Sequence, residues 1–260
     1  MNRRTGSRVT AILAIAAMPG AAQWLNVPAK GIPRTKDGKP DMSAPAPRKP
    51  DGKLDLSGIW KGEPHNLKYG ENLAADFKPS ELPILPWAGA LTKERMSDAG
   101  ASERPSAHCL PYGIPIADNT NSPLKIVQEP GLLVILNEAF GLYRQIFLDG
   151  RAMPTDPNPT WMGYSVGHWD EDTLVVHSSG FNGKTWLDIM GHPTTDALHV
   201  TERFRRRDFG HLDLRLTVDD PKAYTKSWSV ELPKLLVLDT ELMEFVCNEN
   251  EKDREHVVAK

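Results

Sequence analysis

The sequence predicts a mainly β fold: an antiparallel β-barrel, with a two-sheet β-sandwich as the alternative, and one short helix. Three observations carry this. From Leu124 onward, short runs rich in β-branched, Leu and aromatic residues recur, and turn signals such as Pro130-Gly131, Asp149-Gly150 and Asp208-Phe209-Gly210 punctuate them. Within the runs, apolar and polar residues alternate with the period of a strand. Almost no helical spacing intervenes, which argues against strand–helix–strand units and for a barrel or sandwich.

The elements follow in order. Residues 1–22 read as a secretory signal peptide. Arg3, Arg4 and Arg8 give a positive start, Val9 to Met18 is a short apolar stretch, and Gly20 and Ala22 are small residues before a cut at Gln23. The stretch is shorter than the ~20 residues of a spanning helix. Residues 23–53 form a Pro- and Lys-rich leader with an internal echo: Pro33-Arg34 to Asp41-Met42-Ser43 matches Pro47-Arg48 to Asp55-Leu56-Ser57, each with an Asp-Gly turn. Two copies are too few for a solenoid, so the leader is expected to lie on the domain or act as a linker.

A single β domain is expected over residues 54–260. Its first strand is Leu54–Trp60, and an irregular excursion over 63–123 contains the one helix, Trp87–Ser97, with Pro86 before it and Gly100 after. Strands are then expected at Leu124–Gln128, Leu132–Asn137, Leu142–Leu148, Gly163–Trp169, Thr173–Ser179, Leu198–Arg206, Leu212–Val218, Ser227–Leu232 and Glu241–Cys247. The two cysteines, Cys109 and Cys247, are expected to pair in an oxidising compartment, two buried thiols being the alternative.

Composition removes several function classes. A formal net charge of −3 supplies no basic field for nucleic acid, and no basic and aromatic stripe is present. There is no GxGxxG or Walker loop, no CxxCH and no GxSxG elbow. No long apolar run follows residue 22, so no transmembrane segment is expected in the mature chain.

Two resemblances rest on short phrases. Gly58-Ile59-Trp60 ahead of a meander of strands resembles the Gly-x-Trp opening of lipocalin-type barrels, which implies a Trp plugging the closed end. Over Leu54 to Lys252 the chain resembles a widespread group of exported proteins of soil bacteria. The matching phrases are Asp55-Leu56-Ser57-Gly58, Cys109-Leu110-Pro111, Gln145 to Arg151, Gly167-His168-Trp169 through Asp172-Thr173-Leu174-Val175, Thr201-Glu202-Arg203-Phe204 and Asp219-Asp220-Pro221. That resemblance implies export and no stated activity. His168 and His177 stand where Arg and Asp are associated with the group, so a metal site shared with it is not expected there.

Candidate chemistry concentrates in Trp161 to Arg207, which holds four of the eight histidines. Strand alternation puts Glu202 on an apolar face between Val200 and Phe204, where a carboxylate needs a partner or a shifted pKa. Glu244, between Leu242 and Val246, repeats the pattern, and Arg144, between Leu142 and Ile146, is a natural partner for one of the two carboxylates. The expected catalytic set is Glu202 and His192 with Arg144 and His177, because imidazole suits acid–base work near neutrality. One divalent metal on His192, His199 and Glu202 is a further option, although no HExxH-type spacing exists. Trp161, Tyr164, Trp186 and Phe181 are the expected ligand-binding aromatics, suited to stacking on a ring or sugar. The expected function is therefore an exported enzyme acting on a small organic or sugar-like molecule. A lipocalin-like carrier and a cell-envelope interaction module are the alternatives.

Overall fold

The computed structural model describes residues 30–64, 67–120 and 122–247. The expected signal peptide lies outside them. Ten strands follow in chain order: β1 (Gly58–Gly62), β2 (Leu124–Glu129), β3 (Leu132–Asn137), β4 (Leu142–Phe147), β5 (Tyr164–Asp170), β6 (Thr173–Ser179), β7 (His199–Arg206), β8 (His211–Asp219), β9 (Trp228–Glu231) and β10 (Lys234–Val237). Strands β1 to β9 neighbour one another in sequence order, and β10 pairs with both β1 and β8, which closes the sheet. The last two are one bent strand, since Arg215 opposite Glu231 and Leu212 opposite Lys234 keep a single register on β8. The bend is at Pro233, which has no N–H for the ladder and whose carbonyl accepts from the Glu63 amide at 3.1 Å. The result is a closed barrel of nine staves.

The barrel is mixed, which corrects the all-antiparallel expectation. Strands β4 and β5 run parallel, through Ile146 opposite Ser165 and Phe147 opposite Val166 alone. Parallel neighbours need a crossover of about a dozen residues or more, and residues 148–163 are that crossover. Pro154, Pro157 and Pro159 within it cannot donate to a ladder, so the segment stays out of the sheet.

Inward residues alternate with outward ones on every stave. Trp60, Ile126, Leu133, Ile135, Ile146, Leu174, Val176, Val200, Phe204, Leu214 and Leu216 are buried in one continuous cluster. Strand directions gather the turns at 130–131, 171–172 and 207–210 at one end, here the lower. The longer loops 63–123, 180–198 and 220–227 leave from the upper end.

The leader seals the lower end. Both copies of its repeat fold as the same small hairpin, bridged Arg34–Pro40 and Arg48–Leu54, with Gly38 and Gly52 both at φ +82°. Asp41 and Asp55 each turn back to accept from the Ser amide two residues on. The second hairpin docks through a two-pronged Arg48–Asp172 pair at 2.8 Å. Leu54 belongs to this hairpin, so β1 starts at Gly58 rather than at Leu54. Arg206 spans the floor, its guanidinium 5.0 Å from the Trp60 ring centre and donating to the Asp55 carbonyl at 2.6 Å.

The upper end carries four short helices where one was expected: α1 (Leu67–Glu71), α2 (Pro86–Arg95), α3 (Asp98–Ser102) and α4 (Ile116–Asn119). The expected helix is α2, started by Pro86 and sealed onto the barrel by Ala88 and Thr92. The others are single turns too short to show a period. All four residues of α4 are buried, which makes this turn a stopper in the mouth.

Residues 241–247 are not a strand, contrary to expectation. They run outside the barrel, held by a Lys125–Glu241 ion pair, by Glu138 accepting from the Met243 amide at 2.8 Å, and by Phe245 against Phe140 at 5.0 Å. Glu244 is exposed there. The alternation of Leu242, Glu244 and Val246 imitates a strand, but β10 already occupies the place beside β1. The expected disulfide Cys109–Cys247 is present, with Cα atoms 5.7 Å apart. No helix among the described residues is long and apolar enough to cross a membrane.

Candidate functional site

The barrel interior is not wholly apolar. On β4 the inward position before Ile146 is Arg144, and on β7 the inward position between Val200 and Phe204 is Glu202. Both are buried, and they meet as a two-pronged pair: Arg144 Nη1 donates to Glu202 Oε1 at 2.9 Å and Nη2 to Oε2. The small inward residues between them complete the set. Arg144 Nε donates to Ser165 Oγ at 3.0 Å and Nη2 to Ser178 Oγ at 2.7 Å, while the two hydroxyls lie 2.9 Å apart. The guanidinium thus spends four N–H bonds on β5, β6 and β7. Burial opposes its charge, and the adjacent Glu202 more than offsets this, so its pKa is raised.

The stopper α4 adds a second carboxyl. Asp118 reaches to 3.8 Å from Arg144, and its backbone carbonyl accepts from the buried Lys234 ammonium. Neither Asp118 side-chain oxygen receives a hydrogen bond, and the amides of Asn119 and the Asn137 Nδ2 also lack partners among the described residues. Burial, then the neighbouring Glu202 carboxylate, push Asp118 up to about 7 against the pull of Arg144 and Lys234. Burial lowers Lys234 against the pull of Asp118 and Glu202. A folded-state pKa above the unfolded value means that the native state holds a proton the unfolded chain has lost. The contribution is fully present below about pH 4 and is lost as pH rises through about 7. Asp118→Asn keeps the protonated shape at every pH. The variant is therefore expected to gain on the wild type between pH 5 and 8, by at most about 4 kcal/mol, as read by urea unfolding across that range.

The parallel seam opens onto this network. Because β4 and β5 share only two residue pairs, Leu142–Gln145 and Trp161–Tyr164 separate above Ile146 and leave a cleft of about 520 Å³. Arg144 and Ser165 form part of its wall, and Tyr143, Phe147, Trp161 and Tyr164 supply aromatic surface. The segment before β5 is tightly set. Gly163 takes φ +66°, and a Cβ there would lie 2.8 Å from the Ser179 carbonyl; Gly113, at φ +82°, would meet the Trp161 carbonyl at 2.6 Å. Phe147 and Tyr164 stack at 5.2 Å, with Arg151 over Phe147 at 3.9 Å. Among the described residues, no carboxylate lines the cleft.

Of the expected site residues, the structure brings Arg144 to Glu202 and places Trp161 and Tyr164 on the cleft. It does not bring His192 to Glu202. His192 lies in the 180–198 loop, with its Nδ1 2.6 Å from buried Asp188, which also accepts from the amides of Leu73 and His192. His199 and His177 are exposed on outward positions of β7 and β6. The proposed metal set His192, His199 and Glu202 is therefore dispersed over a loop, the outer face and the interior. Among the described residues no three His, Cys, Asp or Glu side chains are placed to hold an ion. Phe181 is buried in the core, and Trp186 is buried with Arg95 4.5 Å from its ring centre, so neither lines the cleft. Sequence reasoning passed over Asp118, Lys234 and Asp188. The first lies in a loop-like Pro-rich stretch, and no local pattern marks it as inward.

A comparison with family models matches none of them to this chain, and a search of curated proteins found no match.

Proposed function

We propose that this chain is an exported, non-catalytic binding protein that holds a small, flat, largely apolar molecule in the seam cleft. The observation that carries this reading is the interrupted β4–β5 pairing, which leaves a cavity walled by four aromatic side chains beside a fixed polar network. A cleft of this volume suits a compact ring-bearing ligand, and its polar groups, Arg144, Gln145, Thr160 and Ser165 among them, suit its orientation. Glu202 is already committed to Arg144, and His192 to Asp188. The acid–base pair expected from the sequence is thus two separate structural pairs. The disulfide and the signal-like residues 1–22 support export.

The test is a fluorescence titration with 1-anilinonaphthalene-8-sulfonate, a probe with two aromatic units and one sulfonate. Trp161→Ala is expected to weaken binding by about tenfold, the loss of one well-packed aromatic contact of ~1.4 kcal/mol. Unchanged affinity in Trp161→Ala would count against the cleft. A second reading, acid–base catalysis by Asp118, is favoured by its buried carboxyl lying beside Arg144 and Glu202 and being held at about 7. A turnover found with any ring-bearing substrate and abolished in Asp118→Asn would establish it instead.

A further inference from the structure

Away from the cleft, the outer face of the barrel brings two histidines together. His168 on β5 and His177 on β6 point outward, on neighbouring staves and one diagonal step apart, since His168 opposes Val175 and His177 opposes Val166. Their rings lie 6.0 Å apart between centres, inclined by only 20°. On the far side, Thr201 of β7 stands opposite His177, its hydroxyl 3.2 Å from His177 Nδ1. The nearest charged group on that face of β7, Arg203, is held by Asp170 at 2.8 Å.

From this geometry we infer that His168 and His177 form a binding site for a divalent first-row transition metal, with copper(II) the tightest. A nitrogen-bound ion sits ~2.0 Å from its ligand atom, so two imidazoles on one ion have ring centres about 4.5–6 Å apart. The observed 6.0 Å is at the edge of that range, and both side chains are exposed on the outer face. In the tautomer in which Nδ1 donates to the Thr201 hydroxyl, the His177 Nε2 lone pair is left for the metal, the outer-shell support that ligating histidines use. Imidazole donors favour copper over nickel and zinc by the usual affinity order. Water completes the coordination shell, so the site is an open one.

The experiment is calorimetric titration of the untagged protein with copper(II) at pH 7.4, with electron paramagnetic resonance of the loaded sample. One copper per chain is expected, with a signal showing two nitrogen ligands. His168→Asn and His177→Asn should each weaken it about tenfold or more, and Thr201→Val by several-fold, with Thr201→Ser retaining affinity. All four substitutions are on the outer face, and circular dichroism checks that each variant is folded. Undiminished binding in the His168→Asn/His177→Asn double variant, or an equal loss in His199→Asn, would place copper elsewhere and overturn the assignment.

Discussion

Glu202→Ala is expected to lower the unfolding free energy by about 3–5 kcal/mol. The cost comes less from the lost attraction than from what remains. Arg144 keeps its charge in the barrel interior, and two of its N–H groups lose their acceptor. Ser165 and Ser178 stay in place, but neutral hydroxyls do not balance a guanidinium, and the Asp118 carboxyl at 3.8 Å does not take up the two freed N–H groups. Arg144→Met/Glu202→Leu removes both charges and should recover most of the loss, because a buried pair contributes little over apolar residues of similar volume. Urea unfolding of the three proteins checks this. A loss below about 1 kcal/mol in Glu202→Ala would mean that the pair is solvated and that the interior is not the dry environment described.

Cys109→Ser/Cys247→Ser should be comparably severe. The bridge spans a sequence separation of 138, for which loop-closure entropy gives an upper figure of about 4–5 kcal/mol. It also anchors a segment with little else. Residues 241–247 form no strand; among the described residues they are held by the Lys125–Glu241 ion pair, the Met243 amide donating to the Glu138 carboxylate and the Phe245–Phe140 ring contact. Thermal unfolding of the double variant, with the wild type in reductant as a second arm, should show both melting well below the oxidised protein. Equal midpoints would show that the closed barrel alone sets the stability.

How much of this was legible depended on range. The strands β2 to β8 were readable because each buries one face, and alternation such as Val200-Glu202-Phe204 against Thr201-Arg203-Arg205 fixes that face locally. The Arg144–Glu202 pair followed from the same rule, since two charged residues on apolar faces need one another. The parallel seam is encoded in the length and prolines of residues 148–163, but neither feature says which strand the crossover reaches. Asp118 was not readable. Its burial depends on a single helical turn lodging in the barrel mouth, and one turn has no period. The false strand at 241–247 shows the converse limit: alternation reports a suitable pattern, while the vacancy beside β1 goes to the segment that arrives from β9.

The most direct test of the binding account is a map of backbone amide shifts in the 15N-labelled protein as 1-anilinonaphthalene-8-sulfonate is added. Shifts confined to residues 141–147 and 160–165, lost together in Trp161→Ala, are the expected result. Shifts centred instead on Tyr112, Phe140 and Phe245, which line a separate cavity of about 410 Å³ at the upper mouth, would contradict it and move the ligand site away from the seam.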